Sequence, residues 1–173
     1  IELRCPFFFR SSRAKNNPYY DFSMKDAAMA TSAAPTYFEP CKIKIENSTD
    51  YYALIDGGVY ANNPAMCAYV EAHWTQPDSG DHLLVSIGTG EQKLPLPYDK
   101  VKNWGLAQWA QPLMNIIFDG VNDTVDYQLR RLLHPEKDGI CRYYRFQPEI
   151  KDEISLDDTS DENIRRLKKA GRA

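Results

Sequence analysis

Residues 51–64 read Tyr51-Tyr52-Ala53-Leu54-Ile55-Asp56-Gly57-Gly58-Val59-Tyr60-Ala61-Asn62-Asn63-Pro64, so an apolar run ends at one carboxylate that two glycines follow. This pattern predicts a strand that delivers an acidic side chain into a tight loop, as α/β enzymes present catalytic acids. Glycine after the acid permits φ > 0 and a close backbone approach. Asn63 and Pro64 are then typical of the N-cap and first residue of a helix. The alternative is a solvated aspartate in an ordinary turn.

Two further blocks frame this turn. Upstream, the block Ser32-Ala33-Ala34-Pro35-Thr36-Tyr37-Phe38 follows a predicted helix over 24–31, for which Ser23 is the N-cap. Downstream, residues 82–90 read His82-Leu83-Leu84-Val85-Ser86-Ile87-Gly88-Thr89-Gly90, which predicts a strand buried on both faces and then a Gly-Thr-Gly turn. The first block together with Asp-Gly-Gly resembles the patatin-like phospholipase family. The resemblance covers residues 22–170.

The resemblance implies a fold and a chemistry. The fold is α/β, with three layers: a mainly parallel sheet with helices on both faces. The activity is that of a serine-dependent lipid acyl hydrolase, which uses a Ser-Asp dyad and needs no cofactor or metal. Asp56 matches the family's catalytic aspartate, and Gly57 and Gly58 shape its loop. The substrate is a phospholipid or another acyl lipid.

The family's nucleophile is missing from the chain. It is a serine in Gly-x-Ser-x-Gly, accompanied by a glycine-rich oxyanion loop. No serine here has glycine two residues away on both sides; Ser86 has Gly88 after it but Leu84 before it. We therefore expect residues 1–173 to be the C-terminal portion of a single patatin-like domain, a fragment inactive by itself, with a motif region (22–90) and a helical and tail region (91–173).

Two rival interpretations remain open. The chain could be a non-catalytic interaction or scaffold domain that keeps the patatin fold without its nucleophile. A Gly-x-Ser-x-Gly upstream of residue 1 would favour the enzyme. The other rival is an α/β nucleotide binder that uses Gly88-Thr89-Gly90. It has less support, because two glycines without a third, and without an acidic partner at the expected distance, are common in turns.

Composition narrows the classes of partner. The net charge of −3 comes from well-mixed charges, which gives no reason to expect nucleic acid or strong attraction to anionic head groups. A basic run over 165–169 on a helix is more often a solvated face. No apolar run approaches the ~20 residues of a membrane span, so any membrane contact is expected to be peripheral. The expected location is the cytoplasm or a membrane surface.

The remaining candidate residues have structural explanations. The three histidines, His73, His82 and His134, are each expected to be structural, and the four cysteines lack metal-binding spacing. Strands are predicted over 4–9, 42–46, 51–55, 83–87 and 142–146, helices over 24–31, 65–74, 104–133 with a break at Pro112, and 160–170, and a polar loop over 10–20. We also expect an uncovered sheet edge and a contiguous exposed apolar patch.

Overall fold

The computed structural model describes residues 1–46, 48–79, 81–92, 94–135, 139–150 and 158–172. The chain divides into two compact units, Ile1–Asn62 and Asn63–Ala173. The first unit contains the Asp-Gly-Gly turn. The second contains the Gly-Thr-Gly turn, the long helix and the C-terminal helix.

The first unit combines helices with a small antiparallel sheet. Its elements are α1 (Ser11–Asn16), a 3-10 helix (Pro18–Tyr20), α2 (Met24–Thr31), β1 (Cys41–Lys44), β2 (Tyr51–Leu54) and α3 (Gly58–Ala61). The predicted capping of α2 is confirmed, because Ser23 Oγ accepts from the Asp26 N–H at 3.0 Å. β1 pairs with β2 from Cys41 opposite Leu54 to Lys44 opposite Tyr51, and Ile43 is buried.

The predicted strand over 4–9 is wrong. These residues form no strand, and Arg4 has a positive φ of 48°. Instead an aromatic cluster holds the segment, formed by Phe7, Phe9, Tyr20, Phe22 and Tyr52 with ring centroids 4.6–6.4 Å apart. A strand needs a hydrogen-bonded partner, whereas an aromatic cluster needs only ring contacts. The predicted polar loop over 10–20 contains α1 and the 3-10 helix.

The second unit packs two helices against a parallel strand pair. Its elements are α4 (Ala65–Thr75), β3 (Leu84–Ile87), α5 (Tyr98–Val101), α6 (Leu106–Leu132), β4 (Tyr143–Phe146) and α7 (Asp161–Ala170). β3 and β4 are parallel, from Leu84 beside Tyr143 to Ile87 beside Phe146. The core of this unit consists of Ala65, Leu129, Leu133 and Tyr143, with Met66, Tyr69, Leu84 and Val125 packed against it.

The predicted break of the long helix at Pro112 is wrong. α6 runs without interruption from Leu106 to Leu132, with Pro112 inside it. A proline removes one backbone hydrogen bond and disturbs the carbonyl four residues earlier. Beyond it, α6 has a core-facing stripe that includes Val125 and Leu129. We attribute the continuity of the helix to this packing, which outweighs one lost bond.

One face of the β3–β4 pair is uncovered. Ser86 and Tyr143 are buried on the face that α4 and α6 contact. On the opposite face Val85 is 50% exposed and Ile87 79% exposed, beside the exposed Tyr144 and Phe146. The prediction that this strand is buried on both faces is therefore wrong, and the face is a contiguous apolar patch.

The sheets are smaller than the resemblance implies. The described residues form two two-stranded sheets, one antiparallel and one parallel. Helices and small sheets together agree with an α/β chain, but these residues do not display a three-layer, mainly parallel sheet. No helix in the described ranges is both long and apolar enough to cross a bilayer.

Candidate functional site

Asp56 lies directly beyond the end of a strand, as the sequence predicts. β2 ends at Leu54, and α3 begins at Gly58, so the acid occupies a turn of three residues between them. The side chain of Asp56 is half-buried. The carboxylate is therefore partly accessible on a backbone that is fixed at both ends.

The block that precedes the strands fixes the start of this turn. The Asp56 N–H donates to the carbonyl of Ala33 at 3.0 Å, and Ala33 is buried. Three residues later Thr36 has a φ of +76°, which is rare for a β-branched residue and costs conformational energy. The two blocks that carry the family resemblance are thus in direct contact through their backbones.

The two glycines have different roles, and neither adopts the φ > 0 that glycine permits. Gly57 caps α3 with a φ of −65°, which any residue adopts. Gly58 donates its N–H to Asp56 Oδ1 at 2.7 Å. A Cβ added to Gly58 would lie 3.1 Å from that same oxygen, which is tighter than most Cβ contacts. The glycine needed for close approach is therefore Gly58.

This arrangement leaves one carboxylate oxygen available. Asp56 Oδ1 is engaged by Gly58, whereas no residue in the described part of the chain donates a hydrogen bond to Oδ2. A half-buried carboxylate with one oxygen held by a backbone N–H and the other open is oriented to accept a proton from a hydroxyl. The assignments of Asp56, Gly57 and Gly58 to catalysis remain predictions.

Asn63 was predicted to be the N-cap of the next helix, but the N-cap lies one residue later. Pro64 is the N-cap of α4. Asn63 is 2% exposed, and its Oδ1 accepts from the Ala65 N–H at 3.2 Å and from Ser86 Oγ at 3.3 Å. Ser86 Oγ in turn accepts from Arg145 Nη1 at 2.8 Å. This network ties the start of α4 to β3 and β4, and a serine inside an apolar strand is the sequence signal that could have revealed it.

Each histidine has a ring or polar neighbour within the second unit. His73 and His82 pack with each other and with Tyr69, at ring separations of 6.3–6.4 Å. His134 Nδ1 lies 2.9 Å from the carbonyl oxygen of Pro135. Among the described residues no cluster of three or more His, Cys, Asp or Glu side chains could hold a metal ion.

A polar cavity of about 700 Å³ lies in the second unit, at the carboxyl ends of β3 and β4. Its lining includes Glu91, Asp119, Asp123, Arg145 and Gln147. Partial burial, followed by the charges of Asp123 and Glu91, raises the pKa of the Asp119 carboxyl above its usual value. The predicted site residues do not line this cavity.

Comparison with known proteins supports the resemblance. A family model described as patatin-like phospholipase matches residues 6–69, which include both the block over 32–38 and the Asp56 turn. The chain is similar to the patatin-like phospholipases. Patatin-like protein 2 of Arabidopsis thaliana is 34% identical over 96% of the chain and 46% of its own length. Patatin-like proteins 4 and 3 of the same plant are 30% and 31% identical over 96% and 97% of the chain.

The patatin-like match covers part of the chain and part of each relative. The chain spans about half the length of the curated relatives it matches, since 46%, 47% and 45% of those proteins are covered. The family model covers residues 6–62 of the first unit and ends within α4 at residue 69. The site residues of the patatin-like hypothesis therefore all lie in the best-supported part of the chain.

Proposed function

We propose that residues 1–173 supply the aspartate of a Ser-Asp dyad in a lipid acyl hydrolase, with Asp56 as that aspartate. The proposal rests on the position and hydrogen bonding of the Asp56 carboxylate. It lies within the patatin-like match, it follows a strand, and its Oδ1 is held by Gly58 while Oδ2 is open. Because the sequence contains no Gly-x-Ser-x-Gly, the nucleophilic serine lies outside residues 1–173.

The proposed reaction uses the open oxygen as a general base. Asp56 Oδ2 accepts the serine proton as the serine oxygen attacks the acyl carbonyl of a phospholipid or related lipid. The ester C–O bond then breaks, the proton passes to the leaving alcohol, and an acyl-enzyme remains. Water attacks that acyl group, Asp56 accepts a proton from the water, and the fatty acid leaves as the serine regains a proton. Gly58 keeps the carboxylate oriented throughout.

We further propose that residues 1–173 form the C-terminal portion of a single three-layer patatin-like domain. The uncovered β3–β4 face supports this, because Val85, Ile87, Tyr144 and Phe146 would be buried by a further layer. The coverage of about half of the three relatives named above agrees with it. In this proposal Gly57 shapes the Asp56 loop, because it is the N-cap residue of α3.

The second candidate is a scaffold with the patatin fold and no activity, and the missing serine motif favours it. A fluorophosphonate probe separates the two. We call the gene product that contains residues 1–173 the parent polypeptide. We expect the probe to label one serine of the parent outside residues 1–173, located by peptide mass mapping, and to label no serine of residues 1–173 expressed alone.

Two results would contradict the proposal. A folded parent polypeptide that reacts with no fluorophosphonate and hydrolyses no p-nitrophenyl ester would identify the scaffold. Stoichiometric labelling of a serine within residues 1–173 would show that the nucleophile has been misplaced. A parent polypeptide pre-treated with excess unlabelled fluorophosphonate is the control for non-specific labelling.

A further inference from the structure

The C-terminal helix α7 separates its charges along its length. Ser160 Oγ accepts from the Asn163 N–H at 3.2 Å and caps the helix, and Asp161 and Glu162 occupy the first turn. The basic residues follow, in the second and third turns and just beyond them: Arg165, Arg166, Lys168, Lys169 and Arg172. Five basic and two acidic side chains thus give this segment a positive charge, although the chain as a whole has a net charge of −3.

The helix also separates its charges around its circumference. Its inner side is marked by Asn163, which is buried and donates through Nδ2 to the Asp158 carbonyl at 2.7 Å. Ala170, seven positions later, lies on the same side and is half-buried. Arg165, Lys168 and Lys169 are spaced by three and four positions on the opposite side, so their side chains are neighbours and all are exposed.

Four of the positive charges have no acidic partner among the residues that the structure describes. The side chains of Lys168, Lys169 and Arg172 form no hydrogen bond or ion pair with any residue that the structure describes. Arg165 Nε donates to the Asp161 carbonyl at 3.0 Å, which leaves its charge uncompensated. Arg166 differs, because its Nη2 pairs with Glu162 Oε1 at 3.1 Å.

One exposed apolar side chain lies beside these cations. Ile164 is 39% exposed and precedes Lys168 by one turn. Exposed apolar side chains next to lysine and arginine are the pattern of a helix that lies in a membrane interface. They would contribute little on a nucleic-acid backbone, where phosphate contacts dominate.

We propose that the surface formed by Arg165, Lys168, Lys169 and Arg172, here called the α7 basic face, binds the anionic surface of a phospholipid membrane. Phosphate and carboxylate head groups would pair with the four cations while Ile164 enters the head-group region. The inference rests on the proposed function in one respect: the membrane would present the lipid that the hydrolase cleaves.

The test is co-sedimentation of the parent polypeptide with vesicles. The vesicles are phosphatidylcholine alone, or phosphatidylcholine with 30% phosphatidylserine. A lysine or arginine near an anionic surface contributes about fivefold in partitioning. The triple variant Arg165→Gln, Lys168→Gln, Lys169→Gln should therefore bind anionic vesicles about 100-fold more weakly, and wild-type binding should weaken as salt rises. The hydrolysis of a soluble p-nitrophenyl ester should be unchanged.

A matched control removes the same charge elsewhere. Lys15→Gln, Lys25→Gln, Lys44→Gln eliminates three exposed cations of the first unit and should retain vesicle binding. Equal losses of vesicle binding in the two triple variants would show that binding depends on net charge alone and would overturn the proposal. So would wild-type binding to a DNA duplex with none to anionic vesicles. Because soluble-ester hydrolysis is measured separately, loss of catalysis with intact vesicle binding would count against the proposed function alone.

Discussion

Two glycine turns follow strands in this molecule, and they use glycine for different reasons. In the turn after β2, a Cβ on Gly57 would meet nothing closer than 3.9 Å, and one on Gly58 would crowd only the Asp56 carboxylate. In the turn after β3, Gly90 has a φ of +106°, and a Cβ there would lie 2.7 Å from Ile150 Cγ1 and 3.3 Å from the Pro148 carbonyl oxygen. The second turn needs glycine for backbone conformation and packing.

This difference separates a functional constraint from a structural one. At Gly58 the constraint is set by one carboxylate oxygen, so its loss should affect the chemistry of Asp56 more than the fold. At Gly90 the constraint is set by the backbone and by the Ile150 side chain, so its loss should affect the fold.

The largest effect on stability is expected at the second turn. Gly90→Ala should lower the free energy of unfolding of the parent polypeptide by about 2–4 kcal/mol, because it adds strain at φ +106° to a steric overlap with Ile150. Urea denaturation followed by circular dichroism measures the change. Gly120→Ala is the matched control: this residue lies within α6 with open space around it, so alanine should stabilise by about 0.5–1 kcal/mol. Equal changes in the free energy of unfolding at the two positions would contradict the structural role assigned to Gly90.

An intermediate effect, on activity, is expected at the first turn. Gly58→Ala should reduce kcat/KM for p-nitrophenyl ester hydrolysis about tenfold, because the added Cβ displaces Asp56 Oδ1 by a few tenths of an ångström. Its free energy of unfolding should change by less than about 1 kcal/mol. Gly57→Ala should keep both activity and stability, since its Cβ finds ordinary contacts. If Gly57→Ala were the more damaging substitution, the assignment of close approach to Gly58 would be wrong.

The smallest effect is expected at a carboxylate beside the second turn. The raised pKa of Asp119 means that folding disfavours its charged form. Its contribution to stability is fully present below the unfolded pKa of 3.8 and is lost as pH rises through the folded value. Asp119→Asn should therefore stabilise at pH 7 by a few tenths of a kcal/mol, because solvent screens this exposed group, and not at pH 3.

Asp158 provides the control of opposite sign. The Ser160 N–H lowers the pKa of the Asp158 carboxyl, so its contribution is present above the unfolded pKa and is lost as pH falls through the folded value. Asp158→Asn should destabilise at pH 7 and have no effect at low pH. Thermal unfolding at pH 3 and pH 7 measures both variants. Shifts of the same sign at pH 7 would contradict the electrostatic explanation.

The features that the sequence predicted well are local ones. The caps at Ser23 and Ser160 and the strand before Asp56 depend on residues a few positions apart, and the structure contains all three. The failures involve distant partners. The predicted strand over 4–9 does not form, because no described strand pairs with it. The helix α6 continues past Pro112 because of packing further along the helix.

The candidate site divides in the same way. Sequence identified Asp56 and its glycines because acid and glycines are adjacent in the chain. It could not identify the carbonyl of Ala33 as the partner of the Asp56 N–H, since any residue supplies a carbonyl. Glycine after Asp56 permits φ > 0, but α3 begins at once and imposes helical dihedrals on Gly57.

The central claim is that Asp56 is the catalytic base, and kcat/KM of the parent polypeptide tests it most directly. Asp56→Asn keeps the shape of the side chain and its acceptor for Gly58 but removes the charge that accepts the serine proton. We predict a loss of at least about 100-fold in p-nitrophenyl ester hydrolysis with unchanged thermal unfolding, whereas Asp50→Asn, six residues upstream in the same unit, should retain wild-type activity. Turnover by Asp56→Asn within a few-fold of wild type would contradict the claim.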